Sequence, residues 1–216
     1  MNKIDLLFID LDDTVYPENL GLWPFFAKRI HDFMHKTVGI PNEQVPEIRE
    51  RLFHTYGTTL RGLQNEYGAD MHDYLAYVHD VDLSAYIKPD PELRRILEAI
   101  PQEKWIFTNA SRAHAENVLG LTGIRDLFSG IIDVVDTFPY CKPQTEAFEL
   151  GFVKAGKPDL TNCLFVDDRA ENLDSARALG LQTLQIDLLL MAKNGHPKIQ
   201  RLTELGAWLE QVQAQA

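Results

Sequence analysis

Short apolar runs recur along this chain, and between them apolar residues repeat at helical spacing. No other feature constrains the fold as much. Leu6-Leu7-Phe8-Ile9, Trp105-Ile106-Phe107, Ile131 to Val135, Leu164-Phe165-Val166 and Thr183 to Ile186 each read as a strand. Continuous runs without polar alternation belong to strands covered on both faces. Helical stripes separate the later runs. Leu93, Ile96, Leu97 and Ile100 form one. A helix from Arg112, capped by Ser111, ends near Gly120 or Gly123. Thr145 to Ala155 follows, then Ala170 to Leu179 with Gly180 in the stop position, and Thr203 to Val212 closes the chain. Strand–helix alternation predicts the α/β class: a Rossmann-like, doubly wound parallel sheet with helices on both faces.

Residues 16 to 89 break this rhythm. Phe26, Ile30, Phe33 and Met34 recur at three- and four-residue spacing. So do Leu60, Leu63 and Tyr67, and then Leu75 and Val78. No alternating strand pattern interrupts them, and Pro89 and Pro91 mark a boundary. The expected organisation is a sheet domain from residues 1–15 and 90–216, with an all-helical insertion of residues 16–89 after the first strand. A chain of 216 residues accommodates one domain with such an insertion.

Thirty-two acidic residues against 21 Lys and Arg give a net charge of -11. A general positive field for nucleic acid polymers or an anionic membrane is therefore excluded. No apolar run approaches the length that spans a bilayer. The first residues are too acidic, and their apolar run too short, for a secretory signal. Cys141 and Cys163 make no disulfide framework. The expected compartment is the cytoplasm.

In open α/β sheets, ligands bind beyond the carboxyl ends of the strands. Asp10-Leu11-Asp12-Asp13-Thr14 follows the first run, and Thr108-Asn109-Ala110-Ser111 the second. Cys141-Lys142-Pro143 lies past the third, and Asp167-Asp168-Arg169-Ala170-Glu171-Asn172 ends the fourth. Asp10, Asp12, Asp167 and Asp168 are expected to converge. Crowded like charges need neutralising, and a hard divalent cation such as Mg²⁺ suits carboxylates, water and a phosphate. Lys142 adds a fixed positive charge, Thr108 a hydroxyl and Asn109 an amide. Together these residues describe a site for a metal and a phosphoryl group. His31 and His35 sit at i and i+4, as in a zinc motif, but no third ligand accompanies them. Phe33 and Met34 fit a buried stripe instead.

The chain resembles the haloacid dehalogenase superfamily of phosphohydrolases through four motifs in order. These are Asp10 to Thr14, Thr108, Lys142 with Pro143, and Asp167-Asp168 with Asn172. Many relatives carry Asp where this chain has Asn172. A finer resemblance, to the pyrimidine 5'-nucleotidase branch, rests on Thr108-Asn109 with Arg112-Ala113-His114-Ala115, on Tyr140 to Gln144, and on Tyr56 to Leu63.

The resemblance implies Asp10 as nucleophile, forming an aspartyl-phosphate, and Asp12 as general acid and base. It implies Mg²⁺ held by Asp10, the carbonyl of Asp12 and Asp168, with Asp167 behind them. Lys142, Thr108 and Asn109 would stabilise phosphoryl charge. Tyr56 and Arg61, in the helical insertion, are candidate substrate contacts. Dehalogenases of the superfamily lack the second aspartate and need no Mg²⁺, so Asp12 favours phosphate chemistry. The expected substrate is a small phosphomonoester, first a pyrimidine nucleoside monophosphate such as UMP or CMP. Sugar phosphates, or non-catalytic phosphate binding on the same fold, are the alternatives. Asp13 and Cys141 are expected to play no chemical part, and His114 to cap or line the site.

Overall fold

The computed structural model describes residues 3–214. Six strands form one sheet: β1 (Leu6–Ile9), β2 (Glu103–Phe107), β3 (Gly130–Ile132), β4 (Cys163–Asp167), β5 (Gln182–Ile186) and β6 (Lys198–Ile199). The strand order is β3-β2-β1-β4-β5-β6, and every pairing is parallel. The expected α/β fold is the observed one. The order reverses direction beside β1, between β2 and β4, where a doubly wound sheet opens its crevice.

Alternate residues of a strand face opposite sides, and the core divides accordingly. Leu7, Ile9, Ile106, Leu164 and Val166 belong to one buried cluster; Leu6, Phe8, Phe107, Phe165 and Ile132 belong to the other. Nine α-helices occur among the described residues. Four fall within residues 16–89: α1 (Trp23–Lys36), α2 (Val45–Tyr56), α3 (Thr59–Tyr67) and α4 (Met71–His79). The rest accompany the sheet: α5 (Pro91–Ala99), α6 (Arg112–Thr122), α7 (Thr145–Lys154), α8 (Ala170–Ala178) and α9 (Leu205–Gln213). Leu93, Val118 and Leu209 bring α5, α6 and α9 to the first cluster. Phe148 and Leu173 bring α7 and α8 to the second.

No strand interrupts residues 16–89 among the described residues. Thr58 and Asp70 cap α3 and α4 by accepting from Arg61 N and Asp73 N. Helix α3 seats closely on α2, since a Cβ at Gly62 would meet Leu52 Cβ at 2.5 Å. Tyr67, placed by the periodicity on the apolar stripe, is 40% exposed, while Arg61 is buried on α3.

Two strand boundaries depart from the periodicity. Ile131 to Val135 reads as one strand, yet β3 ends at Ile132. The Asp133 carboxylate accepts from Arg112 N at 2.7 Å and Asp136 N at 3.0 Å, folding the next residues into a turn. The two-residue β6 carries too few residues to leave a periodic signal. Helix α6 ends at Thr122, and Gly123 adopts the left-handed cap with φ 79°.

Candidate active site

Strand β1 stops at Ile9, and the chain turns over residues 12–15, with Asp13 at φ 58°. This bend lets Asp10 and Asp12 both line one cavity of about 760 Å³. Thr108, Lys142, Asp168 and Asn172 line the same wall. The opposite wall comes from the helices before β2 and includes Trp23, Phe26, Arg49, Phe53, Tyr74 and His79.

Lys142 is 1% exposed. Its Nζ donates to Asp10 Oδ1 at 2.7 Å, Asp167 Oδ2 at 2.8 Å and the Phe107 carbonyl at 2.7 Å. All three ammonium protons are thereby used. Asn109 holds this lysine in place: its Oδ1 accepts from Lys142 N at 2.9 Å and its Nδ2 donates to Lys142 O at 2.8 Å. Asn109 lines the cavity while its amide is bonded to the lysine's backbone. Thr108 is buried, and its Oγ1 accepts from Ala110 N at 2.9 Å.

Asp167 is fully buried and fully engaged. Besides Lys142, it accepts from Asn172 Nδ2 at 3.0 Å on each oxygen and from Arg169 N at 2.9 Å. An asparagine at position 172 fits because it donates where an aspartate would repel. The Asp168 carboxylate has no hydrogen-bond partner among the described residues. Oxygens of Asp10, Asp167 and Asp168 all lie within 4.8 Å of one another.

Three carboxylates share one ammonium, so negative charge is in excess. Burial first, then the charges of Asp167, Asp10 and Asp13, raise Asp168 to about 9. Burial likewise raises Asp10 to about 7; Lys142 opposes the shift and Asp167 adds to it. Burial would lower the ammonium's pKa, but Asp10 and Asp167 outweigh it, so Lys142 stays charged. This all-oxygen set, with its excess charge and the buried, unpartnered Asn172 Oδ1, fits a hard divalent cation.

Asp12 has a different environment. Its Oδ1 accepts from Tyr16 Oη at 2.5 Å and pairs with His114 Nε2 at 2.7 Å. Burial works to raise its pKa. The charge and hydrogen bond of His114, the bond from Tyr16 and the charge of His79 prevail, lowering it to about 2. Asp13 is raised to about 6 by burial and by the charges of Asp12 and Glu18.

The helices place two other expected residues away from the cavity. Tyr56 Oη donates to Glu66 Oε1 at 3.1 Å, in an exposed pair at the C-terminal end of α2. Arg61 is buried as a bolt: it donates to Tyr140 O at 2.8 Å and Val134 O at 2.6 Å. Neither lines the cavity, so the expectation of direct substrate contact is corrected for both. A guanidinium is favoured here because the turn after β3 presents carbonyls that need donors.

His31 and His35 bond Asn42 Oδ1 and Ile40 O at 2.9 Å each, and share no ligand. Cys141 is buried, its thiol raised by burial. Sequence reasoning missed Tyr16, His79, Arg49, Phe53 and Arg169. Arg49 lies 5.7 Å over the Trp23 ring, and Arg169 4.8 Å over Phe53. Tyr16 carried one signal, its position four residues past Asp12 in an acidic turn.

A cavity of about 760 Å³ with a carboxylate cluster able to hold a metal lies at the switch point of a doubly wound sheet. The chain belongs to the haloacid dehalogenase-like hydrolases, whose family model matches residues 4–180. It is similar to Phosphate metabolism protein 8 of Saccharomyces cerevisiae, with 28% identity over 191 residues. That match covers 82% of this chain and 59% of the yeast protein, so the chain spans little more than half of that relative's length. The fold is similar to 2-haloacid dehalogenase from Pseudomonas syringae pv. Tomato DC3000, with TM-score 0.62 and 20% identity, covering 97% of this chain and 99% of that one. It is also similar to the HAD phosphatase from Thermococcus onnurineus, with TM-score 0.59 and 21% identity, covering 96% and 98%. No helix of the described residues is long and apolar enough to cross a membrane.

Proposed function

We propose that this hydrolase is a divalent-metal-dependent phosphomonoesterase, and that its substrates are nucleoside monophosphates, pyrimidines first. The observation that carries the reading is the wall shared by Asp10, Lys142, Asp168 and Asp12, with Asp12 held apart from the other carboxylates. A curated relative named for phosphate metabolism agrees with a phosphate ester as substrate.

Asp10 attacks phosphorus while the bond to the leaving alkoxide breaks. Asp12 donates a proton to that alkoxide. The resting carboxylate is anionic, and a phosphoryl group beside it raises its proton affinity, since like charges favour sharing a proton. Asp12 then takes a proton from water as the water oxygen attacks phosphorus, releasing inorganic phosphate and restoring Asp10. Lys142 keeps Asp10 in place, and its buried charge, without a free N–H, offsets the charge that develops on the phosphoryl oxygens beside Asp10. Asp10, Asp168 and the Asp12 carbonyl would hold the cation, which supplies Lewis-acid polarisation of the phosphoryl group.

Residues 16–89 act as a cap that closes over this wall and excludes water. The far wall selects the substrate. Trp23, Phe26 and Tyr74 line it with aromatic rings suited to a planar base, and Arg49 forms no hydrogen bond or ion pair among the described residues. An unpaired guanidinium beside aromatic rings suits the carbonyl oxygens of a pyrimidine. A sugar phosphate would leave the rings without a planar partner.

Phosphate release should be measured from UMP, CMP, dTMP, AMP, GMP, sugar phosphates and pyridoxal phosphate, with Mg²⁺ and with chelator. A 2-haloacid serves as the control for dehalogenation. Mg²⁺-dependent release concentrated on UMP and CMP is the expected result. Release from sugar phosphates alone would overturn the substrate class, and halide release in chelator would overturn the chemistry.

A further inference from the structure

We infer that His114 is a positioning residue for this reaction: it fixes one oxygen of Asp12 so that the other is free to exchange the proton with substrate. The inference rests on the phosphatase reading above. Both hydrogen bonds to Asp12 fall on Oδ1, from Tyr16 at 2.5 Å and His114 Nε2 at 2.7 Å. Oδ2 has no hydrogen-bond partner among the described residues. A carboxylate tied at one oxygen presents the other in a fixed direction, which is what proton transfer to a leaving oxygen requires.

The imidazole is itself committed. His114 is 3% exposed, and facing a carboxylate its Nε2 carries the proton. Its buried Nδ1 has no partner. A buried histidine serving packing alone satisfies both nitrogens as a rule. This one makes a single side-chain hydrogen bond, and that bond goes to Asp12.

Orientation comes from rings. His79, at the end of α4, stacks on His114 with centroids 4.4 Å apart and planes inclined by 20°. Phe26 of α1 meets its edge at 5.4 Å. His79 is in turn fixed by Ser111 Oγ at 3.0 Å, and Ser111 caps the helix that carries His114. The sheet side supplies the imidazole and the preceding helices supply its brace. Seating of the helices over the wall and orientation of Asp12 are therefore one event.

The test exploits leaving groups. A 5'-alkoxide needs a proton as it departs, whereas nitrophenolate leaves unaided. The value of kcat/KM reports the step that cleaves the ester, so it separates loss of this proton from general damage. His114→Ala should lower kcat/KM for UMP by about 100-fold and for p-nitrophenyl phosphate by about threefold or less. His114→Gln, which keeps a donor, should recover much of the UMP activity. His79→Ala should show the same bias at smaller size.

Equal loss on both substrates, with active wild type and normal circular dichroism, would overturn the inference and leave the phosphatase reading standing. So would an unchanged ratio in His114→Gln if His114→Ala failed to fold and His114→Gln lost activity on both esters alike. A wild type inactive on both esters with Mg²⁺ would overturn both readings.

Discussion

The two walls of the cavity are built on opposite plans. The wall at the strand ends is crowded with charge, and each group has a stated partner or a stated excess: Lys142 serves Asp10 and Asp167, while Asp168 is left over. The wall from the helices is mostly apolar, with Phe26, Tyr74, Leu75 and Val78 around an unpaired Arg49. Charge held by strand termini cannot move without unpairing buried groups, so it suits chemistry that repeats unchanged on every substrate. Apolar helices with one cation can be altered residue by residue at small cost, which suits selection among substrates.

The sharpest way to break this division is Asp10→Asn. It keeps the shape and removes the proposed nucleophile, so kcat should fall by at least about 10⁴-fold on every phosphomonoester alike. Steady-state phosphate release checks it. A fall confined to one substrate would mean that the strand-end wall also selects.

Arg61→Ala comes next. It leaves the carbonyls of Tyr140 and Val134 without donors and removes a buried bolt between α3 and the turn before Lys142. Stability should drop by about 3 kcal/mol, measured by urea unfolding, while kcat of the folded fraction stays within severalfold. A loss of activity on the scale of Asp10→Asn, with stability intact, would return Arg61 to the substrate.

These two arginine and aspartate positions show what the sequence made legible. Asp10, Asp12, Lys142 and Asp168 follow recognisable strands, and a parallel sheet carries whatever follows its strands to one edge. The fold and the charged wall could be read for that reason. The helical wall could not. Whether the turn of α2 that carries Arg49 or the one that carries Tyr56 reaches the cavity depends on how α2 packs against its neighbours, and local periodicity reports burial without saying against what. Arg61 was misplaced because a buried arginine and a ligand-binding arginine look alike until the carbonyls around it are known. His114 stood in a noted motif, but its link to Asp12 spans 102 residues of sequence.

Proton linkage sharpens the same contrast. Asp10 at about 7 and Asp168 at about 9 lie above their ordinary value of 3.8. At these two carboxyls the folded, metal-free protein therefore holds more protons than the unfolded chain between about pH 4 and 9, and their contribution to stability falls as pH rises through that window. Asp12, at about 2, acts oppositely; its contribution is present above pH 3.8 and lost as pH falls toward 2. A divalent cation replaces the protons at the first two positions. Its gain in melting temperature should therefore be larger at pH 8 than at pH 5, by roughly 5 °C at saturating Mg²⁺. Calorimetry with and without chelator checks the sign, and equal gains at both pH values would remove the cation from this cluster.

The smallest effects belong to the helical wall. Arg49→Ala should raise KM for UMP by about tenfold, the worth of one or two hydrogen bonds to a charged donor, and leave kcat nearly unchanged. The same variant should treat phenyl phosphate as wild type does, because that ester carries a ring and no carbonyl. Tyr56→Phe, two turns further along α2 at its C-terminal end, loses only its bond to Glu66 and should leave stability essentially unchanged. Two residues of α2, seven positions apart in sequence and therefore on nearly the same face, would then differ tenfold in KM on the basis of which turn of the helix meets the cavity. If phenyl phosphate suffered as much as UMP in Arg49→Ala, the guanidinium would be acting on the phosphoryl group, and the division between a chemical wall and a selective wall would fail.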